Sequence, residues 1–119
     1  MKLIKRVNEE RSKSKTEKYL EEVVALLQNN KDFKALAQCP VIGCFRRASY
    51  MLGRIKSDLD DVSEQGLSSD TYLDMQSLRG DLKDCLDFII SVNSKKYLTL
   101  SSYKRLVEDL KSSISFLES

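Results

Sequence analysis

From Val41 to Val62 the apolar residues Val41, Phe45, Ala48, Leu52, Ile55, Leu59 and Val62 recur at spacings of four and three. That rhythm lays one stripe down a helix, whereas a half-buried strand alternates with period two. Nothing in the chain alternates that way, so the expected elements are helices alone. Pro40 suits the first turn of this helix, where its missing amide hydrogen costs nothing. Gly66 is placed to close the helix in a left-handed cap, and Ser68 or Ser69 to cap the next one.

The same spacing returns three more times. Leu20, Val23 and Leu27, widened by Tyr19, Val24 and Leu26, mark a helix from Thr16 that fades at "QNNKD". Met75, Leu78, Leu82, Cys85, Ile89 and Val92 mark a third. The segment "NSKKYLT" interrupts before Leu100, Tyr103, Val107, Leu110, Ile114 and Leu117 resume it, with Thr99 as the expected cap. In "CLDFIISV" the residues Leu86, Phe88 and Ile90 lie off the stripe, so helices flank this part on both sides or another subunit covers it. The connection of a few residues between the third and fourth helices makes them antiparallel neighbours. The expected fold is all-α, an antiparallel up-down four-helix bundle over residues 15–119. Residues 1–14 form a basic N-terminal arm or extend the first helix through Leu3, Ile4 and Val7.

A chain of 119 residues makes one domain with one core, and 41% apolar residues exclude wholesale disorder. Apolar runs fall far short of the roughly 20 residues that cross a bilayer, and "MKLIKRVNEERSKSK" lacks a hydrophobic signal core. The expectation is a cytoplasmic protein with no membrane partner. Cys39, Cys44 and Cys85 are odd in number and histidine is absent, which argues against a disulfide framework and the common zinc patterns. Free thiols packed as small apolar groups, with no metal and no cofactor, are expected.

Charge divides the chain. Residues 1–56 carry 13 Lys/Arg against 6 Asp/Glu, a net +7, and residues 57–119 carry 7 against 12, a net −5. Arg46, Arg47, Tyr50 and Arg54 project from the side of their helix opposite the apolar stripe. Arginine forks suit phosphates and a tyrosine can stack on an unpaired base, so this set has the minimum chemistry for RNA or DNA contact. Lys13, Lys15 and Lys18, with Lys2, Lys5, Arg6 and Arg11 before them, add basic groups that could follow a phosphate backbone. Asp70, Asp74, Asp81 and Asp84 offer a counterpart at helical spacing, within one chain or between neighbours. Solvated surface with internal ion pairs, a protein partner and nucleic acid therefore all remain open for the arginines. Phe88, Ile90, Asp74 and Asp81 are the candidate protein-interface residues.

The stretch "SSDTYLDMQSLRGDLKDCLDFIISVNSKKYLTLSSYKRLVEDLKSSISFL" resembles the third and fourth helices of a bacterial four-helix bundle family encoded in insertions within 23S ribosomal RNA genes. The accessory variability determinant of diversity-generating retroelements looks like a relative. The likeness rests on Tyr97, Leu98, Thr99 and Tyr103 around the last loop, and on Phe45, Arg47 and Ala48 in "VIGCFRRAS". Where the family's second helix continues into Asn-Ile-x-Glu-Gly, this chain reads "GRIKSDLDD". The resemblance implies a ring-shaped homo-oligomer, often a pentamer in that family. It also implies a reverse transcriptase as protein partner and nucleic acid met through a basic surface.

Enzyme chemistry has the least support. There is no histidine, no Gly-rich phosphate loop and no nucleophile elbow, and Asp58, Asp60, Asp61 and Glu64 read as a solvated acidic face. Two functional readings follow. One is a non-enzymatic, self-associating adaptor for a nucleic-acid-processing partner. The other is a protein-interaction module, of immunity, inhibitor or scaffold type, with no nucleic-acid role.

Overall fold

A computed structural model describes residues 12–92 and 96–119. The described residues form five helices: α1 (Lys15–Gln28), α2 (Lys31–Ala37), α3 (Gly43–Asp60), α4 (Ser69–Ser91) and α5 (Leu100–Glu118). Among them there is no strand, and a lone bridge pairs Ser63 with Gly66. The expected arm residues Lys2, Leu3, Ile4, Lys5, Arg6, Val7 and Arg11 lie outside the described residues, as do Asn93, Ser94 and Lys95 of the last connection.

Side chains start four of the helices. Ser14, Asn30, Ser68 and Thr99 each accept a hydrogen bond from the backbone N–H three residues on, satisfying one of the amides a first turn leaves free. Thr99 and Ser68 are the expected caps. The short helix α2 was not expected: "QNNKD" ends α1, but its second asparagine starts seven further helical residues that bury Phe33 and Leu36. Two apolar positions one turn apart are too few to show a period.

The start and end of α3 also differ from expectation. Pro40 sits in the turn before the helix, which opens at Gly43 behind an N-cap Ile42 that offers no side-chain bond. Val41 is consequently 81% exposed while Ile42 is buried, because the stripe's first residue precedes the helix and loses its register. Gly66 does adopt the left-handed conformation, with φ of 94°, but it lies beyond the C-cap Asp61 and closes the turn begun at Ser63.

One apolar core joins all five helices. It takes Leu20, Val23 and Leu27 from α1, Phe33 and Leu36 from α2, and Phe45, Ala48, Leu52 and Ile55 from α3. From α4 come Leu78, Leu82, Cys85 and Ile89, and from α5 Leu106, Leu110, Ile114 and Leu117. On α5 the buried line is shifted from the expected one: Leu106 is fully buried, Tyr103 and Val107 are half-buried, and Leu100 is exposed. Phe33 and Phe45 meet edge to face at 5.8 Å, seating α2 on α3.

Helix contacts run α1 to α3, α3 to α4, α4 to α5 and α5 back to α1, and α2 packs on α1, α3 and α5. Between α3 and α4, Arg47 meets Asp81, Arg54 meets Asp74 and Asp58 meets Thr71. Early residues of one thus face late residues of the other, and the two helices run in opposite directions.

Candidate interaction surface

Two of the three arginines of α3, Arg47 and Arg54, meet aspartates of α4. Arg47 Nε lies 3.6 Å from Asp81 Oδ1, and Arg47 Nη2 lies 3.8 Å from Asp84 Oδ2. Two turns on, Arg54 Nε donates to Asp74 Oδ2 at 3.2 Å. Tyr50, between them on the same face, and the Asp74 carboxylate raise the arginine's pKa above its ordinary value. Asp74 is buried and Asp81 half-buried, so both carboxylates left water in exchange for an arginine.

Each arginine faces more acid than it neutralises. Asp58, half-buried at the end of α3, accepts from Thr71 Oγ1 at 3.2 Å, and Thr71 Oγ1 also pairs with Ser68 Oγ. Burial raises the Asp58 carboxyl above the ordinary aspartate value, the Thr71 bond opposes this, and the nearby Asp74 raises it further. Burial likewise raises Asp81, against Arg47 and with Asp84. Asp58 is therefore part of a bonded cluster and not of a solvated acidic face, because the α3 end that carries it packs against the start of α4.

Of the residues expected to meet nucleic acid, Arg46, Arg47, Tyr50 and Arg54 do share one side of α3, but two of the three arginines are engaged by aspartates of the same chain. Arg46 is exposed and has no ion pair among the described residues. Lys15 and Lys18 are exposed at the start of α1. Lys13 bonds Glu21 at 2.7 Å, beside a groove of about 460 Å³ between α1 and α3 that Val24, Leu59 and Val62 also line.

The expected protein-interface residues separate. Phe88 is half-buried, its ring 6.3 Å from Phe45 and 6.5 Å from Tyr97, so it serves the packing between α3, α4 and the last connection. Leu86 lines a groove with Ile114 of α5. Helices thus flank this part of α4 on both sides, while Ile90 stays 55% exposed. Sequence reasoning missed Leu73, 60% exposed, and its neighbour Tyr72. The available signal was their position outside the stripe of Met75, Leu78 and Leu82.

Among the described residues no group of three or more potential ligands is placed to hold a metal ion, and no helix is long and apolar enough to cross a membrane. Comparison with protein-family models, with curated proteins and with solved structures returned no match.

Proposed function

We propose that this chain is a non-enzymatic protein-interaction module: an antiparallel up-down four-helix bundle of α1, α3, α4 and α5, braced by α2, which associates with further copies of itself and serves as an adaptor. The closed circuit of helix contacts supports the bundle, as do the paired positions Tyr19 with Phe116, Asn30 with Asp109, and Lys83 with Glu118. The observation that carries the interaction reading is the set of large apolar side chains left in water on α3 and α4, Tyr50, Tyr72, Leu73 and Ile90. Large apolar side chains in water are groups that a protein contact would bury. The resemblance to the ribosomal-insertion and retroelement family points the same way, to a homo-oligomer that assists a reverse transcriptase.

Light scattering across a concentration series tests it. Association appears as a molar mass above that of the 13.6 kDa chain, and Leu73→Asp or Ile90→Asp shifts the mass to the monomer while helical circular dichroism is kept. A wild-type chain that is monomeric at every concentration and recruits no protein partner overturns the reading. Nucleic-acid contact is a secondary reading, favoured by the exposed pair Arg46 and Tyr50 and by Lys15 and Lys18.

A further inference from the structure

Two cysteines from different helices meet at the edge of the core. The register of α3 against α4 is set by Arg47 opposite Asp81 and Arg54 opposite Asp74. One turn back from Arg47 along α3 is Cys44, and one turn on from Asp81 along α4 is Cys85. Phe45, next to Cys44, and Phe88, about one turn on from Cys85, meet with ring centroids 6.3 Å apart, which sets these two segments side by side. That register sets the Cys44 thiol beside Cys85, and Cys44 is among the groups that raise the Cys85 thiol's pKa. Cys39, the third thiol, belongs to the turn before α3, where its backbone bonds Leu36 and Ile42.

We propose that Cys44 and Cys85 form a dithiol site that a small-molecule disulfide, of the glutathione class, oxidises to a cross-link between α3 and α4. Exposure orders the steps. Cys85 is fully buried and Cys44 half-buried, so a reagent in water reaches Cys44 first. Burial also pushes the Cys85 thiol well up, with Cys44, Asp81 and Asp84 adding to it, which keeps Cys85 protonated and unreactive toward solvent. The Cys44 thiolate attacks one sulfur of the reagent, breaking its S–S bond, forming a mixed disulfide and releasing one thiolate. Cys85 then gives up its proton and attacks Cys44 Sγ, expelling the second thiolate. The protein loses two electrons and two protons, and the reagent leaves as two thiols.

The cross-link would join positions 41 residues apart across the seam already held by Arg47 with Asp81 and Asp84. Its effect on the folded chain is to hold the start of α3 against the end of α4, and on the unfolded chain to close a long loop.

Incubating the full chain with oxidised glutathione, alkylating what remains and mapping peptides by mass tests the proposal. Expected is a loss of about 2 Da, a peptide joining Cys44 to Cys85, and a single alkylated thiol at Cys39. The unfolding midpoint of the oxidised chain should rise by roughly 5–15 °C and return with dithiothreitol. Cys85→Ala should stop at a glutathione adduct on Cys44, heavier by about 305 Da, and Cys44→Ala should leave Cys85 unmodified in the folded chain. A stable glutathione adduct on Cys44 of the wild type, a cross-link through Cys39, or three alkylated thiols after oxidation each overturn it. These readings come from the wild type itself and do not depend on the variants folding.

Discussion

Asn30 holds two helices with one side chain. Its Oδ1 accepts from Phe33 N at 2.9 Å, starting α2, and its Nδ2 donates to Asp109 Oδ2 of α5 at 2.8 Å. The residue is buried, so neither bond has water as a substitute. Asn30→Ala removes the cap and, among the described residues, leaves Asp109 with Arg105 alone, at 3.9 Å. A loss of about 1–3 kcal/mol is expected in urea unfolding. Asn30→Asp keeps the capping oxygen but sets a second carboxylate against Asp109. The folded state then holds one proton more tightly than the unfolded state, so this variant should regain stability as the pH falls toward 4, which Asn30→Ala should not do. Ser113 is the opposite case: its hydroxyl is buried and has no hydrogen-bond partner among the described residues. Ser113→Ala should stabilise the fold by about 1 kcal/mol by the same unfolding measurement. In sequence "QNNKD" marks only the end of α1, because Phe33 and Leu36 are too few apolar positions to signal the helix that Asn30 caps. The bond from Asn30 to Asp109 is not readable either, because a partner 79 positions away is set by packing and not by spacing.

At the level of helices, the stripes of α3 and α4 were legible as stripes because each spans four or more turns, and Phe45, Ala48, Leu52, Ile55, Leu78, Leu82, Cys85 and Ile89 are all buried as their spacing requires. The shift on α5 was not legible. Leu106 and Val107 both fit a spacing of three and four, and only the position of α1 and α4 around the helix selects Leu106. The polar side of α3 was legible as one face, but its destination was not, since arginines in helical register look the same whether they meet phosphate, another chain or the next helix. In the seam two arginines face four aspartates, Asp58, Asp74, Asp81 and Asp84. The raised carboxyls of Asp58 and Asp81 mean that the folded state binds protons more tightly than the unfolded one. Their contribution to stability is thus fullest below the ordinary aspartate value near 4 and is lost as the pH rises through their raised values. Asp58→Asn keeps an acceptor for Thr71 while removing a charge beside Asp74. It should be at least as stable as the wild type at pH 7, with the advantage disappearing below about pH 4 in a thermal-melt series. Arg54→Ala strands the buried Asp74 without its partner, whereas Arg47→Ala leaves half-buried Asp81 and exposed Asp84 within reach of water. The thermal midpoint should fall further for Arg54→Ala than for Arg47→Ala.

Across the whole molecule, the basic first half and acidic second half meet within one chain, since every ion pair in the α3–α4 seam joins one half to the other. That consumes charge a polyanion would otherwise find. Neutralising a phosphate releases counterions, and each contact to a single strand contributes about −0.7 to the slope of log K against log salt. Arg46 is exposed without an ion pair among the described residues, and Arg47 already faces two carboxylates. If single-stranded RNA binds at all, Arg46→Glu should make the slope shallower by about 0.7 or more, and Arg47→Gln should leave it nearly unchanged, because that guanidinium has no free charge to give. Equal losses from both substitutions would mean that Arg47 abandons Asp81 and Asp84 on binding, and the seam would then be a switchable surface and not a fixed one. No dependence on Arg46 would move any binding off α3 altogether, leaving the exposed apolar residues Tyr50, Tyr72, Leu73 and Ile90 to meet protein alone.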